Sequence, residues 1–295
     1  MPELPEAEVA ARQLRERLTG LCVADIWVGR SDIVREGGDS VDWYRGSVIR
    51  SVGRRGKSVI VEMEQGTQRR YLVAELGMTG LLLFPSAIVK HPQHTHVVIT
   101  FKHHPDLTLR YWNPRRFGRL SLFDREGLEG YVARRFGCDP LLISQDDFVK
   151  LLSRCRRRLK PLLMHQQTIA GIGNIYANEI LFRTSLHPNT IASRLNATTA
   201  QRLYRTMQSV LREAIGYGGS SVKDFYAPDG SQGRYKDHHL VYAKEGRPCH
   251  NQCGALIRRL QSERSSFFCP VCQTRAHSSK RYVQKRLGVT ALSET

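Results

Sequence analysis

Acidic residues are few in this chain, and their scarcity leaves a large positive surplus. Against 45 lysines and arginines stand 27 aspartates and glutamates, a formal net charge of +18. That balance disfavours cationic partners and favours polyanions such as nucleic acid or acidic lipid. Long apolar runs are missing as well. No segment approaches the ~20 consecutive apolar residues that a membrane-crossing helix needs, so no membrane partner is expected. The start, Met1-Pro2-Glu3-Leu4, is acidic where a secretory leader is basic. A cytoplasmic setting, associated with the nucleoid, is expected. Cysteine is sparse over most of the length: Cys22, Cys138 and Cys155 belong to no motif and are read as small buried apolar residues. No internal repeat is visible. A chain of 295 residues can bury an ordinary core without disulfides and has room for about two domains.

Helical and β-like textures are both present, in separate blocks. Glu6 to Leu18 carries Val9, Leu14 and Leu18 among charges, at roughly helical spacing. From about Cys22 to Leu122 the pattern changes to short β-like runs punctuated by Gly and Pro, such as Ser58–Met63, His96–Phe101 and Thr108–Trp112. That is the texture of a sandwich or barrel. After about residue 130 the pattern turns helical, with segments over Asp147–Met164, Ile175–Phe182 and Thr198–Ile215. The last of these follows Asn196 and ends before Gly216, Gly218 and Gly219, a start and a stop signal. Residues 216–240, rich in Gly, Ser and Asp, are expected to form a long loop.

The remaining cysteines cluster near the end, as Cys249-x3-Cys253 and Cys269-x2-Cys272 separated by 15 residues. Two short knuckles flanking a hairpin-length insert can supply four thiolates to one tetrahedral zinc ion, leaving no open catalytic position. The expected role is structural, one Zn2+ holding a small hairpin that cannot bury a core alone. His250 stands beside the first knuckle as an alternative ligand. From residue 247 onward nine Lys or Arg accompany two Asp or Glu, so this finger, which includes Arg264, is expected to face phosphate.

Six further features lie in one order along residues 1–272. They are Met1-Pro-Glu-Leu-Pro-Glu6, Gly53-Arg-Arg-Gly-Lys57, Leu76-Gly-Met-Thr-Gly80, Asn113-Pro-Arg-Arg-Phe-Gly118, Gly171-Ile-Gly-Asn-Ile-Tyr176 and the cysteine finger. Together they resemble the formamidopyrimidine-DNA glycosylase and endonuclease VIII family. Leu4 leans toward the formamidopyrimidine branch. The resemblance implies an α+β fold of two domains. An N-terminal helix and β-sandwich (1–130) would be the catalytic domain. A helical DNA-binding domain (131–240) would contain a helix–two-turns–helix motif, followed by the zinc finger (241–273) and a basic tail (274–295). It also implies a monomer acting on damaged double-stranded DNA.

The same resemblance assigns roles. Met1 would be removed, leaving Pro2 with a secondary amine that titrates near ~8 and attacks the sugar C1′ to form a Schiff base. Glu3 would shuttle protons at the sugar, Lys57 would lie near the sugar and its phosphate, and Glu6 would support the site or cap its helix. Met78, Arg115 and Phe117 would fill the gap left by an extruded base. Lys160, Asn174 and Arg264 would contact DNA, Asn174 with helix capping as the alternative. The glycines Gly171 and Gly173 would let phosphate approach the backbone. Ser220, Ser221 and Lys223 match the segment that caps the flipped base. The chain departs from the family at Glu75 and His165, where His and Asp are usual, and in the three-residue spacing of its first cysteine pair. A carboxylate at position 75 would repel phosphate. Three functions follow, in order of preference. The first is excision of oxidised purines (8-oxoguanine, formamidopyrimidines) with β,δ-elimination at the abasic site. The second is the same chemistry on oxidised pyrimidines. The third is lesion binding without catalysis, which a retained Met1 would favour.

Overall fold

The computed structural model describes residues 2–88, 91–221, 225–261 and 264–274. Lys223 and all of the basic tail except Thr274 lie outside them. Helix α1 (Leu4–Leu18) begins with Pro5 in its first turn and ends with Arg15 and Arg17 near its C-terminus, favourable placements at both ends. It sits at the seam of the molecule. Leu4 joins a helical core, while Ala7, Ala10, Ala11, Leu14 and Leu18 join the core of a β-sandwich.

The sandwich is built from β1 (Val23–Val28), β2 (Val34–Glu36), β3 (Val48–Arg55), β4 (Ser58–Gln65), β5 (Gln68–Glu75), β6 (Leu81–Leu83), β7 (Thr95–Phe101), β8 (His104–Trp112) and β9 (Arg119–Phe123). One sheet has the order β1-β7-β8-β6 and the other β2-β9-β5-β4-β3. All pairings are antiparallel except β2 with β9. Strands expected at Ser58, His96 and Thr108 are present with longer bounds. The β3–β4 hairpin turns through Gly56 and Lys57, since Arg55 pairs with Ser58. Gly56 has φ +58, a conformation that costs glycine little. A side chain there would also strike the ring of Phe136 at 2.8 Å, so the hairpin tip carrying Lys57 presses into the second half of the chain.

Helix α2 (Arg125–Arg135) is capped by the Asp124 carboxylate, which accepts from Gly127 N–H. It places Tyr131 with Val73 and Phe123 on the outer face of the β5–β9 sheet. Because α2 runs through residue 130, we propose that the division between the two halves falls after Arg135. The second half holds α3 (Gln145–Ser153), α4 (Leu159–Met164), α5 (Asn174–Arg183) and α6 (Ala197–Gly216). The expected helical stretch over Asp147–Met164 is thus two helices. Between them lie Arg154, Arg156, Arg157 and Arg158, whose charges would repel one another on consecutive turns. There the backbone pairs with a neighbouring strand-like segment instead, with Leu159 N–H donating to Thr190 O. Helices α4 and α5, joined by turns over residues 165–173, form the expected helix–two-turns–helix unit. Asn196 caps α6 by accepting from Thr199 N–H at 2.8 Å. The chain ends, within the described residues, in a hairpin of β10 (Arg258–Leu260) and β11 (Ser266–Phe268). Arg54 locks the two halves together. Its buried guanidinium bridges Glu8 of α1 at 3.0 Å and Asp139 at 2.7 Å.

Candidate active site

The N-terminal segment, the β3–β4 hairpin tip and the start of α5 meet at one point. Leu4 N–H donates to Gly171 O at 3.0 Å. Gly171 has φ +102, and a Cβ there would lie 2.8 Å from Leu4. Gly173 needs its missing side chain for space alone. A Cβ on it would lie 2.4 Å from Glu3 Oε1 and 2.7 Å from Lys57 Nζ. Gly171 thus makes room for Leu4, and Gly173 for the candidate pair Glu3 and Lys57. Glu3 is fully enclosed, and its carboxylate accepts Gly173 N–H at 2.8 Å, Ile175 N–H at 2.9 Å and Tyr176 N–H at 3.4 Å. These are first-turn amides of α5 without intrahelical partners. Capping, the alternative role for Asn174, thus belongs to Glu3. Asn174 is the first helical residue, and its carbonyl accepts from Asn178 Nδ2 at 2.6 Å.

Burial pushes the Glu3 carboxyl above the ordinary range, opposed by the Lys57 charge and the α5 amides. Burial lowers Lys57, opposed by Glu3 and reinforced by Arg264. The acid thus holds its proton more tightly, and the ammonium releases its own more readily, than their exposed counterparts. These opposed shifts bring the proton affinities of the two groups closer together, which suits proton transfer. Gly173→Ala is expected to lower catalysis by ~100-fold or more, because displacing reacting groups by about 1 Å costs that much. Single-turnover kinetics on lesion DNA measure it; an unaltered rate with the fold intact would show that the two side chains do not converge there.

Glu6 lies one turn further along α1, and its carboxylate has three donors. Oε2 accepts Glu3 N–H at 2.7 Å, while Oε1 accepts Tyr176 Oη–H at 2.6 Å and Ser220 N–H at 2.7 Å. It both caps α1 and braces the residue beside Pro2. A Cβ on Gly219 would fall 2.7 Å from the same carboxylate, so the backbone entering the 220s loop passes directly over Glu6.

At the same end of the sheet as the Lys57 turn, where Ser58 pairs with Glu75 and Glu75 with Arg119, two loops are zipped together. Met78 and Phe117 are exposed, by 39% and 61%, which excludes a core role for either. Arg115 stacks on Phe117 with its guanidinium 5.0 Å from the ring centre. A Cβ on Gly77 would come within 2.8 Å of Phe117 and Gly118 backbone, and Asn113 Nδ2 donates to Gly118 O at 3.0 Å. Met78, Arg115 and Phe117 therefore stand together on one braced platform.

Lys160 is enclosed, and its ammonium donates to Arg264 O at 3.1 Å, Ser265 O at 2.8 Å and Ser266 Oγ at 2.9 Å. All three of its donors are used in holding the β10–β11 hairpin. Burial and the Arg264 charge push it down to about 8. Arg264 lowers Lys57 too, so the charge of this hairpin is felt at the Glu3–Lys57 pair. The sulfurs of Cys249, Cys253, Cys269 and Cys272 all lie within 4.8 Å of one another, without His250. Cys249–Cys272 and Cys253–Cys269 separations are 3.7 and 3.5 Å. Four thiolates at about 2.3 Å from a tetrahedral zinc stand about 3.8 Å apart, so the arrangement fits that ion and the longer first knuckle does not spoil it.

Glu179, Tyr176 and His239 carried no sequence signal of their own, and Glu75 and His165 stood out only as departures. Glu75 is not a free carboxylate facing phosphate. It accepts from Tyr131 Oη at 2.6 Å, Arg119 Nε at 2.9 Å and Arg135 Nη2 at 3.1 Å, so its charge is matched and it anchors α2 below the Met78 loop. The buried Glu179 carboxylate accepts Leu240, Val241 and Tyr242 N–H at 2.8–3.0 Å, fixing the segment that leads into the cysteine finger. Tyr176 and His239 enter the Glu6 network. His165 Nδ1 bonds the Thr168 hydroxyl at 2.8 Å and so closes the first turn after α4.

Comparison with known proteins points the same way. Residues 1–120 match the formamidopyrimidine-DNA glycosylase N-terminal domain, and residues 136–226 match the formamidopyrimidine-DNA glycosylase H2TH domain. A formamidopyrimidine-DNA glycosylase of Solibacter usitatus is 40% identical over 278 residues, covering 93% of this chain and 100% of that protein. One from Pelotomaculum thermopropionicum is 35% identical over 279 residues, covering 92% and 99%. Among solved structures, a complex between the Lactococcus lactis Fpg and DNA containing an abasic site superimposes with a TM-score of 0.82 at 30% identity, covering 92% of this chain and 100% of that one. A mutant of the same protein bound to DNA containing Fapy-dG gives 0.82 at 31%, covering 93% and 100%.

Proposed function

Since the chain belongs to the formamidopyrimidine-DNA glycosylase family, we propose that it removes oxidised purines from duplex DNA and then cleaves the strand at the resulting abasic site. The observation that carries this reading is the convergence of Glu3 and Lys57 on Gly173, one residue from Pro2. With Met1 removed, the Pro2 nitrogen attacks C1′ of the extruded nucleotide, the glycosidic bond breaks, and the base departs with a proton. The product is an iminium in which the nitrogen carries the charge. Glu3 supplies and recovers protons as the sugar ring opens. Lys57 holds the neighbouring phosphate. Loss of the 3′ and then the 5′ phosphate follows, because the iminium acidifies the adjacent sugar protons.

Met78, Arg115 and Phe117 are proposed to fill the vacated stack, Arg115 bonding the orphaned base. Asn174 and Arg264 bind the backbone, with Lys160 fixing the carbonyl of Arg264 from behind. Ser220 and Ser221 are proposed to contact the base, together with Lys223, which lies outside the described residues. Zinc held by Cys249, Cys253, Cys269 and Cys272 supplies structure to the hairpin and takes no part in the reaction.

Borohydride reduction tests the chemistry, since it converts the iminium into a stable amine. Incubation with duplex DNA containing 8-oxoguanine is expected to yield a covalent adduct mapped to Pro2. Binding without any adduct, on oxidised or abasic DNA alike, would make the protein a lesion binder. Preference for thymine glycol over 8-oxoguanine would move the substrate to oxidised pyrimidines.

A further inference from the structure

The hydrogen bonds converging on Glu6 continue outward to a histidine, and proton counting fixes their direction. A phenol has one proton, and that of Tyr176 is committed to Glu6 Oε1 at 2.6 Å. Toward Ser220 Oγ, 3.0 Å away, the Tyr176 oxygen can therefore only accept. The Ser220 hydroxyl also has one proton, now spent on Tyr176. Toward His239 Nε2, at 3.0 Å, Ser220 can likewise only accept. The order is His239 Nε2–H to Ser220 Oγ–H to Tyr176 Oη–H to the Glu6 carboxylate, whose other oxygen holds Glu3 N–H. All four side chains are at least 96% enclosed, so water does not substitute for a missing donor.

The relay starts in the Gly-rich loop region and ends beside the reactive nitrogen. Ser220 is flanked by Gly219 at φ +85 and Ser221 at φ 33. The Ser221 hydroxyl accepts Gly233 N–H at 2.7 Å, tying together the two ends of the loop. The His239 ring is held edge-on by Tyr235 and Tyr242, at 5.8 and 5.5 Å between centres. It also lines a cavity of about 470 Å³ shared with Ser221, Lys236, Tyr242 and Lys244.

We infer that His239 is a positioning residue: its Nε2–H orients Ser220 and, through Tyr176 and Glu6, fixes the seat of Glu3. The inference rests on the glycosylase reading above. It separates two half-reactions. Excision needs a proton delivered from Glu3 as the base leaves, whereas a preformed abasic sugar opens without that help. Burial, with Lys244 and His238 against Asp237, lowers the imidazole to about 4, in keeping with a neutral ring carrying one proton.

The test compares wild type, His239→Leu, His239→Gln and Ser220→Ala under single-turnover conditions. The substrates are duplexes bearing 8-oxoguanine or a preformed abasic site. His239→Leu is expected to slow excision by ~10-fold or more, the range for one buried hydrogen bond, and to leave abasic-site cleavage near wild type; Ser220→Ala is expected to slow excision at least as much. His239→Gln, whose amide can still donate, recovers most of the loss. Equal losses on both substrates, or a glutamine variant no better than leucine, would overturn the inference. Wild-type protein that excises nothing and forms no borohydride adduct removes the glycosylase reading and the inference together. Nitrogen-15 spectra of the histidines give a readout independent of activity. An Nε2–H tautomer for His239 is expected, and an Nδ1–H tautomer would refute the donor order. Acid melts add a second: the folded imidazole titrates below its unfolded value of ~6.5, so wild type loses stability as pH falls from 6.5 toward 4, and His239→Leu loses less.

Discussion

Exchanging Glu3 for glutamine is expected to lower base excision by ~10²–10⁴-fold, the usual worth of a general acid–base group, while sparing most cleavage at sites that are already abasic. The asymmetry follows from the sugar. An intact nucleoside needs a proton delivered as its ring opens and its base leaves. An abasic sugar already equilibrates with its open aldehyde, which an amine attacks without that help. The pH profile carries a second signature. Since burial raises the Glu3 carboxyl, excision should decline as pH climbs through that raised value, and the glutamine variant should lose this limb. The substitution also has a structural cost. Glutamine presents an NH2 where the carboxylate faces Gly173 and Ile175 N–H, and one donor left without an acceptor costs ~1–3 kcal/mol. Melting curves measured alongside the rates keep the two effects apart. Loss of both activities in step would assign Glu3 to the architecture rather than the chemistry.

The outline of the fold was legible because its signals are local. Asn196 before an apolar-periodic run and glycines after it mark α6, and alternation marks β4 and β7. The site was legible as motifs, each bringing a residue to a place that its own local structure explains: Lys57 on a two-residue hairpin turn, Gly173 where only glycine fits. What escaped was of two kinds. Helix α2 holds Gly127 and Gly130, each unfavourable by ~1 kcal/mol against alanine, and it forms through packing of Tyr131 on a sheet that a linear reading does not place. Partnerships over long separations were the second kind. Glu75 stands 44 residues from Arg119 and 60 from Arg135, and Ser220 lies 214 from Glu6. Taken alone, a carboxylate at position 75 signals repulsion of phosphate. Only the fold supplies the two guanidinium groups that match it. The same holds for Lys160, whose charge suggests a phosphate contact until the three acceptors of the hairpin are brought to it.

Stripping the metal is expected to cost more DNA affinity than any single substitution at the protein–DNA surface. The β10–β11 hairpin has strands of three residues, with all of β10 exposed. Its apolar support is a small cluster of Phe182, Val241, Ile257 and the cysteines, with Leu240, Ala255 and Phe267 packed against it. A two-stranded hairpin of that size does not stand alone in water, whereas a structural zinc contributes ~10 kcal/mol or more. Without it, Arg264 loses its fixed position and the enclosed Lys160 ammonium loses three acceptors. Chelation, or Cys253→Ser, should therefore weaken binding to lesion DNA by ~10²-fold. It should also flatten the dependence of binding on salt, since each lost phosphate contact removes ~0.9 from the slope of log K against log salt. Elemental analysis should find one zinc per chain in the untreated protein. The α1–α5 junction does not depend on the hairpin for its hydrogen bonds. High protein concentration should therefore restore much of the borohydride adduct that the metal-free protein fails to form when dilute. A metal-free protein that binds DNA with its original affinity and salt slope would place the phosphate contacts elsewhere and leave the cysteine cluster without the role argued for it.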